Sequence, residues 1–338
     1  MKTIQELEAR MAQPSSELIR DIASVEGDIL LLGVGGKMGP TLAQLAVNAI
    51  KEAGISKKVI GASRFSNGTL RQELEDIGVE TIAVDLLNDE ALQALPHVDN
   101  VLYMAGNKFG TKGNEHFTWA MNAYLPGRVA EKYKNSRIVA FSTGNVYPLT
   151  PVSDGGATEE QPTGPVGEYG QSCLGRERVF EHFARKNNTP MTIYRLNYAI
   201  DLRYGVLLEV AKSIKAGNPI DVTMGHVNCI WQGDANEIAL RSLTICSTPP
   251  TVLNVTGPET ISLRRVAEAL GARMGLEPAF TGVEATDALL SNSGKCNQLF
   301  GYPKVSLNQM LDWVAGWVME GGEMWNKPTH FQERKGNY

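Results

Sequence analysis

The apolar positions of this chain fall into short unbroken runs, and the runs alternate with stretches of helical spacing. DILLLGVGGKMGPTLAQLAVNAI predicts an apolar strand, a glycine turn and a helix. Further strands are predicted in KKVIGAS, GVETIAVDLL, DNVLYMAG and NSRIVAFST. Helical patterns lie between them, around Leu70 to Ile77, Asp89 to Leu95 and His116 to Lys134. An unbroken apolar run suits a strand covered on both faces, as parallel strands are. Strands alternating with helices therefore predict an α/β protein with a Rossmann-type, doubly wound parallel sheet.

The chain before and after this region has a different texture. The first 27 residues read as an amphipathic helical lead-in, with Leu18, Ile19, Ile22 and Val25 at helical spacing. After Tyr147, PLTPVSDGGATEEQPTGPVGE reads as a loop. A long helix from about Tyr169 to Lys186 and the strand MTIYRL follow. Beyond them GVLLEVAKSIKAG, DANEIALRSLTI, SLRRVAEALGARMG and SLNQMLDWVAGWVMEGG predict helices, and VLNVTG a strand. The expected organisation is a lead-in over 1–27, a dinucleotide-binding domain over 28–200, and a smaller interleaved α/β lobe drawn mainly from 201–338.

Composition narrows the function classes. The 338 residues are 43% hydrophobic and 20% charged, enough for a large domain with a smaller lobe. The net charge is −5 and no Lys/Arg block stands out, so no nucleic-acid partner is expected. Cys173, Cys229, Cys246 and Cys296 are widely spaced, which suggests neither a metal site nor a disulfide framework. The N-terminal stretch lacks the apolar centre of a signal peptide, and no apolar run reaches the length of a membrane span. A soluble, cytoplasmic protein without a membrane partner is expected.

The glycine turn carries the first specific chemistry. Gly33, Gly36 and Gly39 satisfy G-x-x-G-x-x-G between a strand and a helix, with Lys37 and Met38 inside the turn. Glycine lets the backbone turn sharply and approach a pyrophosphate, and the helix N-terminus behind it favours that anion. The second strand ends Ala62-Ser63-Arg64, with no carboxylate to receive an adenosine ribose. Arg64 suits a 2′-phosphate, which points to NADP with NAD as the alternative; it reads otherwise as a solvated surface arginine.

These motifs together resemble an extended short-chain dehydrogenase/reductase of the NAD-dependent epimerase/dehydratase type, from about Asp28 to about Glu320. The resemblance implies that Asp85 and Leu86 sit beside the adenine, and that Met104, Ala105 and Gly106 of YMAGNKFG lie against the cofactor. Lys108 matches a lysine that touches the cofactor, and Asn122 an asparagine behind the nicotinamide ribose. FSTGNVY places Thr143 at the catalytic hydroxyl position, and Tyr169 falls on the family's tyrosine. RLNYAID resembles the loop around the nicotinamide, with Asn197 as a candidate substrate contact. A homodimer through the helices His116 to Lys134 and Tyr169 to Lys186 is implied as well.

One position departs from the family. Four residues after the tyrosine the family has a lysine, which lowers the tyrosine pKa and holds the ribose; here it is Cys173. A tyrosine starts near pKa ~10, so a neighbouring cation matters. Positions 169, 173 and 176 share a helix face, which makes Arg176 a candidate replacement, with Lys108 another. Two readings follow. The first is an NAD(P)-dependent oxidoreductase, epimerase or dehydratase acting on a small sugar-type substrate, with Tyr169 as acid/base and Thr143 orienting the substrate oxygen. The second is a non-catalytic NAD(P)-binding sensor or partner protein. For the substrate, Arg203 offers a cation to an anionic group and reads equally as a surface arginine. Asn228, Trp231 and Gln232 offer pocket contacts, and Trp231 reads equally as core.

Overall fold

The computed structural model describes residues 1–66, 68–108, 110–325 and 327–336. Its centre is a seven-stranded parallel sheet: β1 (Ile29–Leu32), β2 (Val59–Ser63), β3 (Glu80–Ala83), β4 (Asn100–Tyr103), β5 (Arg137–Thr143), β6 (Met191–Leu196) and β7 (Thr251–Val255). The strand order is β7-β6-β5-β4-β1-β2-β3. Ile29 of β1 is in register with Val59 on one side and Asn100 on the other. The chain thus runs outward from β1 to one edge, returns to β4 beside β1, and continues to the other edge. That reversal opens a crevice at the carboxyl ends of β1 and β4, where open α/β sheets take their ligands.

Burial explains the unbroken apolar runs. Leu31, Leu102, Val139 and Leu253 face one core, together with side chains of α2 (Ser16–Ser24), α3 (Gly39–Glu52) and α10 (Gln232–Arg241). Leu30, Leu32, Val101, Tyr103 and Ile138 face the opposite core, under α7 (Leu125–Lys132) and α8 (Gly167–Asn187). Alternate residues of every central strand are therefore apolar for different neighbours.

The lead-in forms two helices, α1 (Ile4–Met11) and α2, capped by Thr3 and Ser15. Leu18 and Ile22 join the sheet-side core, while Leu7 and Met11 pack into the core of the C-terminal lobe. That second core lies among α9 (Val206–Ala216), α11 (Leu263–Met274) and α13 (Leu307–Glu320). The chain weaves between the two: α10 packs on α3, and β7 completes the sheet from beyond the first lobe helix.

The helix expected over 116–134 contains a π-helical turn, Ala120–Tyr124, between α6 (Glu115–Trp119) and α7. The sequence supplies a cause. Pro126 stands four residues after Asn122, so it offers no N–H to the Asn122 carbonyl and its ring would crowd it. The helix widens there, and the Asn122 carbonyl accepts from Arg176 Nε instead, at 3.3 Å.

Two glycines of the turn are demanded by packing. Gly33 has φ of 92°, and a Cβ there would lie 2.8 Å from the Ala105 nitrogen. A Cβ at Gly39 would lie 2.0 Å from the Val34 carbonyl oxygen. Gly39→Ala is expected to lower stability by about 1–3 kcal/mol or more through overpacking. The measurement is the urea midpoint; an unchanged midpoint would count against this close approach.

Candidate active site

Gly36 differs from its neighbours in the turn. A Cβ there would meet only the Gly33 carbonyl oxygen, at 3.3 Å, so protein packing does not require a glycine at this place. The open side is what a backbone approaching a diphosphate needs. Helix α3 begins directly behind, with Pro40 in its first turn and no side-chain cap, leaving its N–H groups for an anion. Met38 is the residue that leads into this helix and is buried. Ser63 leans over the turn from the end of β2: a Cβ on Gly35 would lie 2.5 Å from its hydroxyl. Arg64 follows, exposed. Asp85 is exposed after β3 and accepts from the Leu87 N–H at 3.0 Å, while Leu86 is buried. Met104 donates its N–H to Leu32, Ala105 closes against Gly33, and Gly106 is exposed. These groups lie along the carboxyl ends of adjacent strands and fit a dinucleotide. Phe109 of YMAGNKFG lies outside the described residues.

Thr143 ends β5 and Tyr169 stands in the first turn of α8. The Tyr169 hydroxyl faces the side chains of Thr143 and Cys173. Burial pushes the phenol well above its usual range, and the Arg176 guanidinium pulls the other way. Burial also raises the Cys173 thiol, so the sulfur next to the phenol is neutral.

Arg176 sits one turn beyond Cys173 and is buried. It donates to the Phe141 carbonyl (2.8 Å), to Asn122 Oδ1 (2.7 Å) and to the Asn122 carbonyl. Among the described residues no carboxylate forms an ion pair with it. A Cβ on Gly106 would lie 2.5 Å from its Nη2, so this cation presses against the backbone that borders the crevice. Asn122 also accepts the Asn107 N–H and donates to the Asn107 carbonyl and Ser172 Oγ, which binds the loop after β4 to α8. Lys108 Nζ lies 5.8 Å from the centre of the Tyr169 ring, within cation–π range, and burial pushes its pKa down to about 8.

The proposed substrate contacts divide. Asn197 is buried, donates to Asn228 Oδ1 at 3.3 Å, and lies beside Gly144 in the turn after Thr143. Arg203 is neither a surface residue nor open to an anion. It is 5% exposed, ion-pairs with Asp201 at 3.1 Å and Glu8 at 2.7 Å, and lies over the Trp325 ring. Its charge is already neutralised. Trp231 is core: it is 1% exposed and packs edge-on against Trp313. Gln232 is buried and donates to Thr41.

Two features escaped the sequence reading. The Lys37 side chain leaves the glycine turn, donates to the Ala199 carbonyl at 2.8 Å, and lies 3.9 Å from the centre of the Tyr204 ring. The irregular chain after α13 runs back across the lobe. Trp325 donates its N–H to Arg203, Thr329 bonds Glu209 through its N–H and hydroxyl, and Gly336 packs on Gly167, two residues before Tyr169. Glu333, Arg334 and Gly336 border a cleft with Asn145 and Tyr147.

A glycine turn at the switch point of the sheet, with a threonine ending β5 and a tyrosine in the first turn of α8, marks an extended short-chain dehydrogenase/reductase. More narrowly, the model of the NAD dependent epimerase/dehydratase family matches residues 29–223, more than half of the chain, and the protein belongs to that family. Similar solved structures include UDP-glucuronic acid 4-epimerase from Bacillus cereus with NAD and UDP-glucuronic acid (18% identity, TM-score 0.69, 86% of this chain and 98% of that one). A short-chain dehydrogenase/reductase superfamily protein from Agrobacterium tumefaciens with bound NAD gives 17% identity and a TM-score of 0.71, over 87% of this chain and 98% of that one. UDP-glucose 4-epimerase from Thermus thermophilus with NAD gives 18% and 0.70, over 87% and 99%. At these identities the likeness speaks for the fold. No curated protein matches by sequence. No described helix is long and apolar enough to cross a membrane.

Gly36→Val is expected to keep the fold, since its side chain meets little protein, and to abolish most NADPH and NADH binding. Nucleotide fluorescence titration beside a thermal melt checks both; full affinity in the variant would remove the phosphate role from this turn.

Proposed function

We propose that the protein is an NAD(P)-dependent enzyme, an epimerase, dehydratase or dehydrogenase, acting on a sugar or sugar-derived substrate. The observation that carries this reading is the Tyr169 hydroxyl facing Thr143 at the carboxyl end of the sheet that also carries the glycine turn. The sugar class is supported by the UDP-sugar epimerases among the similar structures.

When bound, an NAD(P) cofactor would supply hydride transfer to or from a substrate carbon. The glycine turn and the α3 N-terminus would hold its diphosphate, and Asp85 and Leu86 would lie beside its adenine. Thr143 orients the substrate oxygen by a hydrogen bond. Tyr169 gives that oxygen a proton as the carbon is reduced, or takes one as it is oxidised. Because burial keeps the phenol protonated, donation is the easier direction. Arg176 and Lys108 supply the positive charge that the missing lysine would bring, Arg176 from beneath Gly106 and Lys108 across the tyrosine ring. NADP is the cofactor in this reading, since β2 ends on Ser63 and an exposed Arg64 with no carboxylate. We place the protein in the cytoplasm as a homodimer pairing α6–α7 and α8, where Tyr124 is 59% exposed and Trp119 is 39% exposed.

The burial of a neutral Cys173 at the lysine position favours one other reading, a protein that binds NAD(P) without turnover. A panel of keto-sugars, sugar lactones and nucleotide sugars with NADPH or NADP separates the two. Under the enzyme reading Tyr169→Phe removes most turnover and Thr143→Ala costs less. Unchanged turnover in Tyr169→Phe would end the tyrosine mechanism. Cys173→Lys lowers the phenol pKa, so the alkaline loss of proton donation moves to lower pH; a pH–rate profile that stays in place would show that another cation already fills this role. Arg64→Ala is expected to erase an NADP preference of roughly 1.5–3 kcal/mol, read from the two cofactor affinities; equal affinities in the parent would contradict it.

A further inference from the structure

Lys37 is the unusual member of the phosphate turn. Its backbone belongs to the turn, but its side chain crosses to the loop after β6 that carries Asn197. The ammonium has three donors, and among the described residues it makes one hydrogen bond, to Ala199, beside its contact with the Tyr204 ring. No described carboxylate lies within ion-pair distance of it.

The charged groups that face Lys37 are Asp201 and Arg203 from the loop before α9, and Lys108 from the loop after β4. Glu209 of α9 faces Lys108 in turn. Both carboxylates are already committed. Asp201 accepts from the Arg203 guanidinium and from the N–H groups of Arg203 and Tyr204. Glu209 accepts the N–H and hydroxyl of Thr329. The seam between the turn and the lobe thus holds a lysine whose charge the protein does not pair directly, with a second lysine near enough to feel it. Lys37 is half-buried, and drawing a cation out of water is less unfavourable when something supplies counter-charge.

We infer that the Lys37 ammonium, in the field of Lys108, receives an anionic substituent of the sugar substrate, a carboxylate or a phosphate. The inference rests on the sugar-directed function proposed above and adds a charge requirement to it. The alternative is a latch only, in which Lys37 holds the Ala199 carbonyl beside Tyr198, whose φ of 44° is rare for a bulky residue. A latch would not distinguish an anionic sugar from a neutral one.

The pH dependence has a definite sign. Burial pushes Lys37 down to about 7, with Asp201 opposing and Lys108 and Arg203 adding to the fall. Lys108 is pushed to about 8. Recognition of an anion needs the protonated amine, so it is strongest below these values and fades as pH rises through them. A bound anion raises both values and moves the fading upward.

The test uses the full chain at saturating NADPH, titrated calorimetrically with D-glucuronate, D-glucose 6-phosphate and D-glucose. At about pH 6 one or both anionic sugars should bind about tenfold or more tighter than glucose, the scale of a charge-assisted contact. The two anions distinguish a carboxylate from a phosphate substituent. The preference should shrink as pH rises to about 8.5, should be lost in Lys37→Met, and should persist to the higher pH in Lys37→Arg, whose cation does not deprotonate. No preference for either anion in the parent, or a preference kept in Lys37→Met, overturns the inference. Loss of NADPH binding in Lys37→Met assigns the side chain to the cofactor and overturns it too. Failure of the parent to bind NADPH at all would instead remove the proposed function.

Discussion

A guanidinium buried without a carboxylate is the constraint around which this site is organised. Among the described residues Arg176 is held by carbonyl and amide oxygens, and these come from two different parts of the fold. Phe141 belongs to β5, and Asn122 belongs to the π-helical turn. Losing either contact would strand a charge in a weakly polar interior. The position of α8, and with it Tyr169, is therefore tied to β5 and to the helix before it. Pro126 is part of the same arrangement, because it removes the usual i+4 helical donor to the Asn122 carbonyl.

A second buried charge lies next to the first. Glu177 takes a two-pronged contact from Arg195 of β6 and a hydrogen bond from Ser142 of β5, and Arg195 reaches on to the Tyr147 hydroxyl. Tyr147 in turn donates to Asn254 of β7. This network lies behind Thr143 and links three strands to α8. Its members are polar at the carboxyl ends of strands that are otherwise apolar. They fix the direction of Thr143 more than they favour folding, since a buried pair gains little over apolar packing.

Most of the sheet was legible because every central strand is buried on both faces and leaves a continuous apolar run. Gly33, Gly36 and Gly39, and the shared face of residues 169, 173 and 176, were legible because their geometry is local to one turn or one helix. What escaped depends on partners distant in sequence. Arg203 looked available because Glu8, 195 residues away, gives no local signal. Lys37 looked like a turn residue because Ala199 lies 162 positions on. Trp231 could be pocket or core until Trp313 was placed beside it. The π-helical turn had a local signal in the Asn122–Pro126 spacing, which the helical periodicity masked.

The ion pair between Glu8 and Arg203, with the Arg203 carbonyl taken by Trp325, joins segments from near both extremes of the sequence at one place. Synthesis on the ribosome is directional, so these segments become available tens of seconds apart, at about 5–20 residues per second. The strands that flank the glycine turn are exposed early, and β7 arrives later. The Thr329 clasp on Glu209 and the Gly336 contact on Gly167 can form only after residue 336 has emerged. A nascent chain released short of this stretch would therefore carry the sheet and its glycine turn while lacking the packing against Gly167, two residues before Tyr169.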